Sequence, residues 1–442
     1  MGINFPNAPG IGQVYPITPT PGLPQYVWDG TAWVLKSDGL GPTIYVSDTA
    51  PTGAIDGALW WDSTQGILYL RYFDGDSRAW VQCAPSAADY AALTAYTDRM
   101  VLDADTNLVI NGGLEVSQEY GAVAQTVAHG AFKYTVDQWH VYAAGNGLLA
   151  FDQRSDSVLP VRGFRNSLRL YANPTAYNMA GANDLISLQQ PIEGARAARL
   201  GFGGAGALPV TIGFWVWTTI PGTMTAGIRN ATNNRTYLTP VTTGTSTWEY
   251  KFFTIPGDVA GTWSTVGDLW AYLAFTFGSG SAFTTTANAW QANGAYAVTG
   301  TTNFFASNSN QILITGVSMV PGSIGPSAAQ SPLVMRQYDS DLALCLRYWE
   351  RGSQRLTYYN GSGFAGIANA YDTVPFLVQK RIVPTMSVLP GGTFQYYNTA
   401  DGFVNVTPTF SPLINQMIYF GSAMTNWKAW TNSGLWAASA RM

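Results

Sequence analysis

Residue types that carry acid–base and metal chemistry are scarce in this sequence. His129 and His140 are its two histidines, and Cys83 and Cys345 its two cysteines. A zinc site draws three or four such ligands at close, repeated spacings, so no metal centre is expected. His140 follows Trp139 in an expected strand, where a hydrogen-bonded structural histidine fits better than a general base. No Gly-x-Ser-x-Gly elbow, phosphate-binding P-loop or His-Glu-x-x-His helix occurs. Gly201–Gly206 (GFGGAG) lacks the full dinucleotide spacing and the flanking βαβ pattern. Glycoside hydrolysis needs only two carboxylates roughly 5 to 10 Å apart, and Asp339 with Asp341 is a candidate pair that the start of a helix explains better. The sequence thus predicts no catalytic residue, no cofactor and a chain that is not an enzyme.

Binding chemistry is better supplied, since aromatics make up 14% of the chain. Aromatic rings stack on the apolar faces of sugars while neighbouring amides and hydroxyls set orientation. Trp427-Lys428-Ala429-Trp430 places two indoles around a cation, and Tyr396 and Tyr397 precede it among Gln and Asn. Trp427, Lys428, Trp430, Tyr396 and Tyr397 are therefore the candidate glycan-binding residues. Packing within the chain or between copies is the competing explanation for each ring.

Charged residues amount to 11%, against about 25% in an average soluble protein. Much of the surface is then uncharged Ser, Thr, Asn, Gln and Gly, as in an extracellular β-protein or a subunit that buries surface against its copies. The net charge of −4 argues against nucleic-acid binding, which needs a basic face. Charge is uneven: residues 1–84 hold seven Asp, no Glu and three Lys or Arg, whereas 331–442 hold eight basic and five acidic residues. The C-terminal segment could face an acidic polysaccharide. Cys83 and Cys345 lie in different expected domains, so no disulfide framework is predicted. No run of 18 apolar residues occurs, and no membrane insertion is expected. The first residues show no leader pattern, which predicts release by a route such as lysis.

The elements that must position these groups read as mainly β. Pro6, Pro9, Pro16, Pro19, Pro21 and Pro24 favour extended conformations, which predicts an N-terminal arm that docks on something or a flexible tail. YVWDGTAWV at 26–34 and YFDGDSRAWV at 72–81 share aromatics, an Asp-Gly turn and Ala-Trp-Val, the pattern of a tight hairpin with a tryptophan over it. Residues 1–84 are expected to form small β-modules. Across 85–107, Tyr90, Leu93, Thr97, Met100 and Ala104 step by three and four, the spacing of a short coiled-coil neck or, equally, of one amphipathic helix packed on its own chain. Residues 108–330 carry strand patterns at 167–171, 210–218, 248–255, 270–277 and 311–320, expected to close as a jelly-roll β-sandwich. Ile212, Phe214, Val216 and Thr218 take one face of their strand, and Gly213, Trp215 and Trp217 the other, so both faces are expected to be covered. The long segment 278–304 is expected to be functional or interfacial. Residues 331–442 open with an expected helix over 339–350, stopped at Gly352, and continue as a mostly β tip domain.

Three stretches resemble phage tail fibres and related virion appendages. INFPNAPGIGQVY (3–15) with YVWDGTAWV resembles their opening module. NLVINGGLEVSQEYG and YTVDQW (107–139) are similar to the start of a carbohydrate-binding-like jelly roll. ILITGVSMVPG (312–322) and YDSDLALCLRYWE (338–350) resemble its last strand and the helix after it, although Met319, Val320 and Pro321 stand where the family commonly has an acidic residue before the glycine. The resemblance implies a homotrimeric structural protein of the virion, assembled in the host cytoplasm. It attaches to other virion proteins through its N-terminus, with Phe5, Tyr26, Trp28 and Trp33 in the attachment module and Tyr90, Leu93 and Met100 in the trimer neck. Its distal domains would bind host cell-surface polysaccharide. A purely structural head, collar or tail decoration protein is the alternative. A polysaccharide depolymerase spike is a further one, though no long β-helix repeat is visible.

Overall fold

A computed structural model describes residues 5–18, 25–35, 44–83, 104–155, 163–359, 370–392, 394–398, 402–405, 408–421 and 427–442. The chain divides into two compact units, residues 1–99 and 100–442. In the first, β1 (Val14–Tyr15), β2 (Tyr26–Trp28) and β3 (Trp33–Leu35) make a three-stranded antiparallel sheet. A second sheet follows, with β4 (Ile44–Ser47) parallel to β5 (Leu59–Asp62) and β6 (Ile67–Phe73) and β7 (Arg78–Gln82) added antiparallel.

The repeated Asp-Gly motif builds the same turn twice. Asp29 Oδ1 accepts from the backbone N–H groups of Thr31 (2.7 Å) and Ala32 (2.8 Å). Asp74 Oδ1 accepts from those of Asp76 (2.9 Å) and Ser77 (2.7 Å). An Asp side chain that satisfies its own turn in this way closes the hairpin locally. The donors hold both carboxyls below their ordinary pKa, chiefly through the amides of Ala32 and Ser77.

The second unit is mainly β and contains the jelly roll. Its strands are β8 (Gln125–Val127), β9 (Ala131–Tyr134), β10 (His140–Ala144), β11 (Leu149–Arg154), β12 (Ser167–Ala172), β13 (Leu185–Glu193), β14 (Val210–Thr218), β15 (Gly222–Asn230), β16 (Thr236–Thr243), β17 (Glu249–Ile255), β18 (Leu269–Ser279), the short pair β19 (Thr284–Thr285) and β20 (Ala297–Val298), and β21 (Gln311–Pro321). One six-stranded sheet runs β16-β15-β18-β13-β10-β9 and the other β17-β14-β21-β12-β11-β8. The chain crosses repeatedly between them, and every pairing within each is antiparallel. Alternation drives this packing, because residues at even steps of a strand share a face. Ile212, Phe214 and Val216 of β14 meet Leu188 of β13 and Phe275 of β18 in one core. Each such side chain, fully buried, contributes about 1.5–3 kcal/mol.

A bulge re-aims part of this sheet. Gly213 pairs with Ser318 but Trp215 pairs with Thr315, so β21 carries one extra residue there. Gly316 sits in the left-handed region at φ 61°, and a Cβ would lie 2.6 Å from the Phe164 ring. The segment 278–304, expected to be functional or interfacial, packs on its own chain where Trp290 donates to Pro256 O (2.9 Å) and contacts Phe202, Tyr237 and Trp263.

A helix at Tyr338–Leu346 leads to β22 (Trp349–Tyr359), β23 (Ala370–Pro375), β24 (Thr385–Val388), β25 (Phe394–Asn398), β26 (Gly402–Asn405), β27 (Pro408–Pro412), β28 (Gln416–Gly421) and β29 (Trp427–Ser439). The helix stops before the expected Glu350, because Trp349 onward is drawn into an eleven-residue pairing with β29. Gly352 is not its stop but a strand residue, with the Trp436 ring lying where a Cβ would stand. Val374, Phe376, Phe394, Met417, Trp436 and Ala438 form a small core here.

This segment is fastened to the sandwich by charge. Buried Glu193 accepts from Arg347 (2.7 Å) and from Tyr348 Oη (2.5 Å). Arg441 pairs with Glu119 at 2.7 Å, and Tyr134 Oη donates to Met442 O at 2.8 Å. Tyr90, Leu93 and Met100 of the expected neck lie outside the described residues.

Candidate functional site

Register alone assembles a polar-aromatic row on the outer face of the sheet β17-β14-β21-β12-β11-β8. Trp217 stands opposite Leu313, Leu313 opposite Arg169, and Arg169 opposite Asp152. Their neighbours Val216, Ile312, Leu170 and Phe151 point into the core, so alternation sends this row outward. Gln311 and Tyr171 pair in the next row.

The loop after β16 completes the site. Thr218 Oγ1 donates to Gly244 O (2.8 Å), Thr245 Oγ1 to Thr219 O (2.6 Å) and Ser246 N to Thr218 O (2.7 Å). These bonds pin the turn that delivers Trp248. Arg154, Arg169, Trp217, Ser246, Thr247, Trp248, Gln311 and Leu313 together line a cleft of about 440 Å³.

Its polar groups are held before any ligand arrives. Arg169 donates through Nε to Asp152 Oδ1 (2.8 Å) and through Nη2 to Oδ2 (2.5 Å). Its Nη1 donates to Gln311 Oε1 at 3.3 Å, and its guanidinium lies 4.3 Å from the Tyr171 ring centroid. A forked pair of this kind fixes both position and plane. Arg154 Nη1 approaches the same carboxylate at 3.9 Å. Two half-buried indoles and the buried Leu313 line the cleft beside the held Arg169 and Gln311. Stacking and hydrogen bonding to a polyhydroxylated ligand is the chemistry that this set performs.

The other end of the same face is closed. Trp215 is only 8% exposed, and its Nε1 donates to Ser331 Oγ at 2.9 Å. Tyr250 Oη donates to Pro326 O (2.8 Å), and Thr315 Oγ1 to Asn166 O (2.7 Å). The expectation that both faces of β14 are covered is therefore corrected: the cover reaches Trp215 and leaves Trp217 at the cleft.

The residues singled out from sequence fall elsewhere. Trp430 pairs with Tyr396 on one side and Tyr358 on the other, Tyr397 pairs with Ala429, and Trp427 pairs with Asn398 beyond a bulge, with Lys428 between. Strand pairing thus brings Trp430 and Tyr396 together, whereas Trp427 and Tyr397 are not partners. In the first unit, Phe5 stacks on Trp33 (5.1 Å, 16°) and meets Tyr26 edge-on (5.2 Å), while Trp28 and Trp33 lie 5.7 Å apart. These four rings form one cluster.

Trp217, Trp248, Arg169 and Gln311 escaped the sequence reading. The signal available was a second outward tryptophan at the end of TIGFWVWT, followed by the polar turn GTSTW. His140 is buried, in keeping with a structural histidine, although its Nδ1 has no hydrogen-bond partner, and burial pushes its pKa down to about 4. Asp339 and Asp341 occupy the first helical turn without capping it, and Asp341 lies 3.6 Å from Arg336.

No protein-family model and no curated protein matches the sequence. Among solved structures, the chain is similar to the enzymatically active domain of bacteriophage CBA120 tailspike protein 4, at 13% identity and a TM-score of 0.26 over 49% of this chain. The match spans only 21% of that tailspike domain's length. A family 11 carbohydrate-binding module from Clostridium thermocellum, solved with a beta-1,3-1,4-mixed-linked tetrasaccharide, matches at 10% identity and a TM-score of 0.23, over 46% of this chain and 96% of its own. The arabinose-bound MgGH51 α-L-arabinofuranosidase matches at 12% identity and a TM-score of 0.24, over 53% and 31%. The expectation that the chain is not an enzyme is withdrawn, because an enzymatically active domain and a glycosidase stand among these structures. Its physical weakness is plain: a pair of catalytic carboxylates is assembled by the fold and leaves no spacing in the sequence.

Proposed function

We propose that the chain is a glycan-binding protein of a phage virion appendage, and that the cleft at Trp217, Trp248, Arg169 and Gln311 holds the sugar. The observation that carries this reading is the pairing of two half-buried indoles with a guanidinium pre-oriented by Asp152 and Gln311. An ordered donor beside an aromatic platform loses little entropy on binding. In this reading the protein is a homotrimer in the virion. The Phe5, Tyr26, Trp28 and Trp33 cluster belongs to the module that joins other virion proteins, and host cell-surface polysaccharide is the ligand. Trp430 beside Tyr396 is a second contact zone.

The test is retention of the full chain on immobilised polysaccharides of several backbone types. Wild-type protein should be retained on at least one of them. Trp217→Ala should lose that retention, while Trp430→Ala should weaken it less. Loss confined to Trp430→Ala would move the site to the C-terminal segment. Reducing ends measured in the same wells would report cleavage, and native mass reports the trimer.

A further inference from the structure

A second cavity lies away from the cleft, where residues 105–109 enter the second unit beneath three arginines. Arg199 Nη2 donates to Thr106 O at 2.9 Å, and Arg336 donates to Val109 O (2.7 Å) and to Asn107 O. Arg196 is placed differently. Its Nη2 stands 3.5 Å and 3.4 Å from Asn107 O and Leu108 O, at the limit of a hydrogen bond, and its buried Nε has no partner. Together with Asp105, Leu108, Ala195 and Leu344, the three guanidiniums line a cavity of about 350 Å³.

Direct ion pairs reach only one of the three guanidiniums. Arg336, nearly buried, pairs with Asp105 and Asp341 at 3.6 Å each. Arg196 and Arg199 have no carboxylate within ion-pair distance among the described residues. A structural role as clamps on the entering backbone accounts for Arg336. It does not account for Arg196, which is desolvated, faces a second guanidinium with Glu193 and Asp341 acting on it only from beyond ion-pair distance, and leaves its Nε donor unmade. Arg196, in the short helix Gly194–Ala197, and Arg199, in the 3-10 turn Ala198–Leu200 that follows it, both line the cavity. That arrangement suits a ligand with two or three acceptor oxygens.

We propose that this cavity is an oxyanion site, taking one carboxylate, sulfate or phosphate group between Arg196 and Arg199, with Arg336 as its fixed wall. The space is that of roughly a dozen waters, enough for the anionic group and a ring that bears it. The acidic group of a charged glycan and a free inorganic oxyanion share this chemistry. The site stands independently of the aromatic cleft, and its failure would leave the cleft untouched.

The experiment titrates the full chain with inorganic phosphate, with glucuronate and with neutral glucose, by calorimetry and thermal unfolding at constant ionic strength set with chloride. Saturable binding and a rise in Tm with phosphate or glucuronate, but not with glucose, is the expected result. Binding of glucuronate would assign a glycan-borne carboxylate, and binding of phosphate alone the inorganic or ester form. Arg196→Gln should weaken binding roughly tenfold or more, and Arg199→Gln should do likewise if the first variant folds poorly. No saturation beyond the chloride control, or an unchanged response in both variants, would overturn the proposal.

Discussion

Trp215 and Trp217 are two residues apart on one face of β14, yet one is sealed and the other lines a cleft. Trp215 is covered by the segment that carries Ser331, which also accepts its indole N–H. Trp217 stands beyond that cover, with Trp248 brought to it by a pinned loop. Same residue type, same strand and same face lead to a sealed position and to a cleft position. What separates them is the chain laid over the sheet, and the charge pair Arg169–Asp152 marks where that cover ends.

The contrast between the two indoles is tested first at its sealed end. Trp215→Ala removes a large buried ring and its hydrogen bond, and should cost about 3–5 kcal/mol, read by denaturant unfolding. A loss below about 1 kcal/mol would mean that the cover does not pack as described. His140 extends the same logic to the opposite sheet, where a polar group is covered on the face turned from the core. Its folded-state pKa is lowered from 6.5 to about 4, so the neutral ring contributes stability above pH 6.5 that is lost as pH falls through 4. The loss should reach about 3 kcal/mol across that window, and His140→Phe should flatten the difference in the pH–stability curve.

At the open end the effect should move from stability to binding. Trp217→Ala should weaken glycan retention by about 2 kcal/mol, near thirtyfold, with the unfolding midpoint almost unchanged. A large fall in stability instead would make Trp217 a packing residue like Trp215. Smallest of all, Phe252→Ser should alter stability by no more than about 0.5 kcal/mol, since this side chain is 66% exposed on the edge strand β17. A greater loss would show that the edge is covered in the assembled protein.

Legibility followed the range of the interactions. The Asp29 and Asp74 turns were readable because each closes within four residues through its own side chain. Strands β12, β14, β17, β18 and β21 were readable as apolar runs between turn residues, β14 also from its alternation. The helix at 338–346 was overextended, since the apolar spacing of Cys345, Leu346 and Trp349 fits a helix as well as a strand start, and only the pairing of Trp349 with Ser439 decides between them. Trp430 was noticed for its neighbours in sequence, Trp427 and Lys428. Its partner Tyr396 came from another strand. The cleft residues were missed because Arg169, Gln311 and Trp217 lie on three strands far apart in the chain and become neighbours only through register.

The β character of this protein, its low charge, its Asp-Gly hairpins and the side chains that share a face of each strand all follow from the order of residues. Those properties depend on composition and on interactions a few residues long. Tertiary packing then chose which outward face is covered, which indole remains at a cleft and which arginines stand without an ion pair among the described residues. A side chain's exposure is set by whatever other segment packs over it, and a period of two along one strand carries no record of that segment.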